Sequence, residues 1–256
     1  MELRKEKERE FANLVRDKAI GDARGNRKFY SIVRGSQGFM MSWLRSRAGG
    51  GKRLLDFACG DGDYTIQAGR MGFEATGIDI SDVSIENARE SARLQGINDV
   101  KFLVMDCEAT QFPDSYFDVI FVAGVLHHLE LEKAFTEMVR ILKPDGEVIC
   151  AEGIADNFLI HWYRKRTPQF RTEWEVDHIL RVQDLKIARQ YFRKADYKFY
   201  HLFVLAAVPF RNARIFNSML TVLEAIDSMV LRLPIVRTQA WQMIFTLSHP
   251  NKSILR

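Results

Sequence analysis

A chain of 256 residues with 47% hydrophobic side chains can bury the core of one α/β domain with additions, and is too apolar for a disordered chain. A net charge of +4 does not demand a nucleic-acid partner. The three cysteines lack C-x-x-C spacing, so no zinc or other metal site is expected, and they read as small residues of a reducing compartment.

Residues 1–20 read as a charged helix with sparse apolar points at Leu3, Phe11, Leu14 and Val15, a solvated helix lying on the domain. Residues 1–16 lack the apolar stretch of a secretory signal, and no run of about 18 apolar residues occurs anywhere. The expected location is cytoplasmic. Residues 21–30 are loop-like, residues 32–44 form a helix with Phe39, Met40, Trp43 and Leu44 on its apolar face, and Gly49-Gly50-Gly51 is a hinge.

Leu54 to Ala58 is an apolar run of buried-strand length, and it ends in Gly60-Asp61-Gly62. Glycines there permit positive φ and let a ligand approach the backbone. A helical pattern follows through Tyr64, Ile66, Ala68 and Met71, closed by Gly72. Strand, glycine loop and helix together make the first unit of a nucleotide-binding sheet. The next strand, residues 73–80, carries Asp79 near its tip, 23 positions after Asp56, where an acid accepts ribose hydroxyls. Thr65 stands where a dinucleotide fingerprint would place its third glycine, which argues against a dinucleotide.

Ser81 caps a helix over 82–95, stopped by Gly96, and residues 100–105 form a third strand ending at Asp106-Cys107. A fourth strand covers 119–122. It is followed by Ala123-Gly124, the pair His127-His128, a helix over 131–142, the turn Lys143-Pro144-Asp145-Gly146 and a fifth strand over 147–151. Residues 153–183 interleave aromatics with Arg164, Arg166 and Arg171, too long a stretch for an ordinary connection. A helix over 182–192 and a strand over 197–202 resume the sheet, and the last strand spans 240–247. Between them lies an amphipathic helix over 213–233 with Ile215, Phe216, Met219, Leu220, Leu223, Ile226 and Val230 on one face and Asp227 or Ser228 opposite. It covers the sheet edge, lines a lipophilic tunnel, or docks on a membrane surface.

Leu55-Asp56-Phe57-Ala58-Cys59-Gly60-Asp61-Gly62 and the spacing to Asp79 resemble the class I S-adenosylmethionine-dependent methyltransferases. Pro113 to Asp118 followed by His127-His128 resembles the ubiquinone and menaquinone methyltransferase subgroup. The resemblance implies a Rossmann-like, seven-stranded, mostly parallel sheet with its last strand antiparallel and helices on both faces. It also implies a helical lid over residues 1–51 and a methyltransferase domain over 52–256, whose insertions 153–183 and 203–238 cap the substrate. S-adenosylmethionine would rest on the loop of Asp56, Cys59, Gly60 and Gly62. Asp79 would take the ribose, Ile80 one adenine face, Asp106 the adenine amino group, the Cys107 amide a ring nitrogen and Ala123 the methionine end. Tyr30, with Phe29, would lie against the sulfonium or substrate, or would only pin the lid to the core.

Methyl transfer needs an aligned nucleophile and, for an oxygen or carbon acceptor, a base. His128, ahead of His127, is the candidate, with His161, His178 and Tyr163 behind; the pair could instead only pack the helix start. The expected activity is methylation of a small or lipophilic acceptor, at oxygen or carbon, leaving S-adenosylhomocysteine. Arg164, Arg166 or Arg171 could hold a carboxylate or phosphate on that acceptor. The alternatives are a nucleic-acid methyltransferase, for which the D/N-P-P-Y/F-type motif is missing after the fourth strand, and a catalytically silent binding subunit, for which a broken cofactor loop would be the mark.

Overall fold

The computed structural model describes residues 2–16, 27–167, 172, 174, 178 and 180–255. Its centre is a seven-stranded sheet in the order β3-β2-β1-β4-β5-β7-β6. The strands are β1 (Arg53–Phe57), β2 (Glu74–Asp79), β3 (Lys101–Val104), β4 (Phe117–Ala123), β5 (Leu142–Gly153), β6 (Phe192–Tyr200) and β7 (Gln242–Pro250). The first five strands pair in parallel, and β7 runs antiparallel between β5 and β6. The order reverses between β1 and β4, so the crevice beyond their carboxyl ends is where this sheet takes a ligand.

The helices are α1 (Leu3–Arg16), α2 (Arg34–Arg45), α3 (Asp63–Arg70), α4 (Asp82–Leu94), α5 (Leu131–Ile141), α6 (Phe158–Arg166) and α7 (Phe216–Val230). Residues on one sheet face, including Phe57, Ile120, Val122 and Phe245, pack with Phe135 and Met138 of α5. The other face, with Leu54, Phe121 and Ile149, buries Met40, Trp43 and Leu44 of α2, so the predicted apolar face of that helix lies inward. Ser81 caps α4 by accepting the Ser84 amide at 2.9 Å, and Gly72 and Gly96 adopt positive φ just beyond α3 and α4.

Several boundaries differ from the sequence pattern. The expected turn at Lys143–Gly146 lies within β5, where the register with β4 shifts from Phe117↔Leu142 to Val119↔Glu147 and the extra residues loop out as a bulge. Residues 182–192 hold a 3-10 turn (Asp184–Ile187) and one helical turn (Ala188–Tyr191) instead of a continuous helix. β6 starts at Phe192, earlier than expected, because its partner β7 runs on to Pro250. The expected aromatic Phe170 and the basic Arg171 lie outside the described residues.

The second insertion folds as a 3-10 run (Phe203–Phe210) followed by α7. Leu220 of α7 packs with Ile32, Val204, Ala207 and Val208, and this cluster backs Phe29 and Trp241. Asp227, expected on the polar face, is buried: its carboxylate accepts the amides of Phe203 at 2.7 Å and Leu202 at 3.0 Å. Ile215, expected inward, is exposed, as are Val222 and Met229. No helix among the described residues is long and apolar enough to cross a membrane.

Candidate active site

β1 delivers the chain into a loop of left-handed residues, with Ala58, Gly60 and Gly62 at φ 65°, 52° and 81°. A Cβ on Gly62 would lie 2.7 Å from the Phe102 ring and 2.8 Å from Ala88, so only glycine lets the loop seat on α4 and β3. A Cβ on Gly60 would meet only the Arg16 guanidinium, so the open side of the loop faces α1. Beneath the loop Asp56 is buried and accepts the Thr65 hydroxyl at 2.7 Å; burial pushes its carboxyl up to about 7.

Asp79 ends β2 directly beside the loop. One of its oxygens accepts the Gly60 amide and the other the Ser81 amide, each at 2.9 Å. Burial pushes this carboxyl up, and the two amides pull against that shift. A carboxylate offers about four acceptor directions, so two remain for a pair of vicinal hydroxyls. The residues present thus fit a ribose. Ile80, Cys59, Asp106, Cys107 and Ala123 line the same cavity, which has a volume of about 810 Å³. Burial pushes the Cys59 and Cys107 thiols well up, so both stay protonated.

α1 lies on the domain as a charged helix, and it does more than meet solvent. It buries no side chain of its own, yet its polar groups reach into the cavity wall. Lys5 donates to Asp106 at 2.7 Å, and Arg4 donates to Glu108 at 2.6 Å and to the His128 carbonyl at 2.7 Å. Arg16 pairs with Asp61 of the glycine loop, and Asn13 bonds Asp82 and Ser81 at the start of α4. Glu8 lies 2.9 Å from His128 Nδ1. Burial alone would raise the Glu8 carboxyl, but its contacts with His128 and the Thr172 hydroxyl outweigh that and hold it down.

The histidine pair follows β4 on a short 3-10 turn (Leu126–His128). Its anchor is Glu152, a fully buried carboxylate near the end of β5. One Glu152 oxygen accepts the amides of Val125 and Leu126, both at 2.8 Å, and the other lies 2.9 Å from His127 Nδ1. A carboxylate only accepts, so Nδ1 carries the proton and Nε2 is the basic nitrogen. The His127 and His128 rings lie with centroids 4.3 Å apart and planes tilted by 39°, and both line the cavity.

Beyond the histidines the cavity is walled by Phe29, Tyr163, Arg164, Trp241 and Gln242. Phe29 meets Tyr163 edge-on at 5.3 Å and Trp241 at 5.6 Å. Tyr30 is 62% exposed and sits at the rim. Of the other candidates, Tyr163 lines the cavity, whereas His161 and His178 do not; His178 instead stacks on Trp174 with ring centroids 3.5 Å apart. Sequence reasoning missed Glu152 and the α1 residues Arg4, Lys5, Glu8 and Arg16. Glu152 had a visible signal, a charge closing the otherwise apolar run Val148-Ile149-Cys150-Ala151.

A reversed-order parallel sheet with an antiparallel strand inserted before its edge, a glycine loop after β1 and an acid at the tip of β2 define the class I methyltransferase fold. Residues 55–150 match the family model described as a methyltransferase domain, so this part of the chain is similar to the class I S-adenosylmethionine-dependent methyltransferases. A curated relative, the ubiquinone/menaquinone biosynthesis C-methyltransferase of Erwinia tasmaniensis, is 36% identical over 107 residues, which is 40% of this chain and 43% of the relative. The match therefore spans less than half the length of that relative. Among solved structures, phosphoethanolamine N-methyltransferase 2 of Haemonchus contortus superposes with a TM-score of 0.67 at 18% identity, covering 94% of this chain and 60% of that one. Geranyl diphosphate C-methyltransferase of Streptomyces coelicolor A3(2) gives 0.56 at 15% identity, over 84% of this chain and 79% of that one. At these identities the two structures speak for the fold.

Proposed function

We propose that the chain transfers a methyl group from S-adenosylmethionine to a small-molecule acceptor at oxygen or carbon. The carrying observation is one cavity that joins the Asp79 and glycine-loop cradle to the His127–Glu152 pair. Asp79 holds the ribose hydroxyls, Asp106 and Ile80 the adenine, and the Gly60 and Ala123 backbone the methionine end. S-adenosylmethionine, when bound, supplies an electrophilic methyl, so the protein has chiefly to align the acceptor and exclude water.

His127, and not the favoured His128, takes the proton in this reading. Both rings face a carboxylate, but Glu152 is a fully buried residue of the sheet, whereas Glu8 belongs to α1, a helix with no fully buried side chain. With Nδ1 donating to Glu152, Nε2 accepts the proton that a hydroxyl or an acidic carbon gives up as the new bond forms. The curated C-methyltransferase relative supports a carbon acceptor over an amine. Residues 213–233 back the acceptor wall through Phe29 and Trp241, and this role is preferred to membrane docking.

Calorimetric titration with S-adenosylmethionine and S-adenosylhomocysteine tests the reading. Micromolar binding of both is expected. Failure of the folded chain to bind either would overturn it.

A further inference from the structure

Trp241 and Gln242, at the start of β7, line the acceptor half of the cavity and carry polar tips that the chemistry above does not use. Their backbone is fixed on both sides. The Trp241 amide donates to the His201 carbonyl and its carbonyl accepts the Ile154 amide, each at 2.9 Å. Gln242 pairs with Gly153 of β5 and with Tyr200 of β6. Gly153 follows Glu152 directly, and a Cβ built on it would lie 3.8 Å from the Trp241 indole nitrogen and 2.8 Å from Arg164 Nη2. Bare backbone there keeps the indole edge close to the end of β5, one residue from the carboxylate that meets His127.

Both tips are donors. An indole nitrogen only donates, and no described residue accepts from Trp241 Nε1. Gln242 turns its Oε1 into the protein, where the side chain meets His201, so the amide NH2 is the end left toward the cavity. His201 is buried at a left-handed φ of 69°, and its Nε2 lies 2.9 Å from Ser36 Oγ of α2. Burial pushes this imidazole down to about 4, so the group behind Gln242 is neutral and serves to hold the amide.

We propose that the Trp241 N–H and the Gln242 NH2 form a donor pair for a carbonyl oxygen of the acceptor, and that the acceptor is an enolisable carbonyl compound methylated at carbon. This rests on the methyltransferase reading above. Donors held in place by the sheet favour the negative charge that develops on that oxygen and need little reorganisation to do so. The enol proton goes to the base of that reading. The enolate carbon then attacks the methyl, the new C–C bond forms as the C–S bond breaks, and the electron pair stays on sulfur in S-adenosylhomocysteine. The flanking rings of Phe29 and Trp241 suit a flat, conjugated acceptor.

The test titrates S-adenosylhomocysteine-loaded protein with 2-acetyl-1-tetralone, an enolised 1,3-dicarbonyl, and with 2-ethyltetralin, the same skeleton without oxygen. The dicarbonyl should bind about tenfold or more tighter. Its bound enol should ionise about one pH unit or more below the free compound, read from the enolate absorbance. Both effects should shrink in W241F, which keeps a ring and loses the N–H, and in Q242M, which keeps the length and loses the amide. Both should vanish in the double variant. Affinity for S-adenosylhomocysteine should be unchanged throughout, which also reports that the variants fold. Equal affinity for the two probes, an enol that ionises as it does in water, or effects that survive both single substitutions undiminished would overturn the proposal. Wild-type protein that takes no S-adenosylhomocysteine would sink the methyltransferase reading instead.

Discussion

His127 Nδ1 lies 2.9 Å from Glu152 Oε2, and the opposite oxygen of that buried carboxylate is engaged by the amides of Val125 and Leu126. One side chain from β5 therefore fixes both the loop after β4 and the tautomer of the imidazole on it. Three independent hydrogen bonds leave Glu152 little freedom, so the histidine is presented to the cavity in one orientation.

From this pairing, H127A should lower turnover by about a hundredfold or more, the usual yield of a positioned base. Affinity for S-adenosylhomocysteine should stay within about twofold. H128A should cost much less. Initial rates read as S-adenosylhomocysteine formation, beside calorimetry, check both; equal losses in the two variants would move the base away from His127.

Asp79 joins the glycine loop to the start of α4, so its removal has two consequences. D79N keeps one acceptor oxygen and the shape of the side chain but loses the charge that favours ribose hydroxyls. Cofactor affinity should fall about tenfold or more, roughly 1.4 kcal/mol. D79N also leaves one of the two amides facing an NH2 group, and D79A should lower the melting temperature further, because both the Gly60 and the Ser81 amide then lose their acceptor at about 1–3 kcal/mol for each buried group left unpaired. Unchanged affinity in folded D79N would remove the ribose assignment.

Asp56 gives the unliganded protein a pH signature. Its folded-state carboxyl is pushed up by burial to about 7, above its ordinary value of 3.8, so the folded state binds the extra proton between those limits. Stability from this group is therefore full below about pH 4 and is lost as pH rises toward 7. D56N, which can still accept the Thr65 hydroxyl, has no such loss. The melting temperature of wild type minus that of D56N should fall steadily across this window; a constant difference would show that Asp56 is ionised throughout.

α1 should be the salt-sensitive part of the molecule. It buries no side chain and is held by Arg4–Glu108, Lys5–Asp106 and Arg16–Asp61. Raising salt from 0.05 to 1 M should speed amide hydrogen exchange in residues 3–16 while leaving β1 and β4 unchanged. R4A combined with K5A should give the same acceleration at low salt. Exchange in α1 that ignores both changes would show that apolar contact holds it.

The methyltransferase core was legible because its signals are local. Strand length, the φ demands of Gly60 and Gly62, the Ser81 cap and the distance from Asp56 to Asp79 are all written within some 30 consecutive positions, and backbone sterics leave few ways to satisfy them. The order of the elements then places Asp79, Ile80, Asp106 and Ala123 at one crevice. Outside that core, periodicity misled. The pattern of α7 put Asp227 on the polar face, yet three neighbouring amides at residues 202–204 needed an acceptor and drew it inside.

By itself, then, the sequence determined the fold class, the glycine loop with Asp79 beside it and the position of the histidines, since each follows from spacing along one stretch of chain. Only the tertiary structure decided that Glu152 meets His127 from 25 residues away and that α1 closes on Asp106 and Asp61. Those relationships depend on strand register and on ion pairs between distant elements. Neither leaves a mark in local periodicity, because a charged side chain looks the same in sequence whether it meets water or a partner across the sheet.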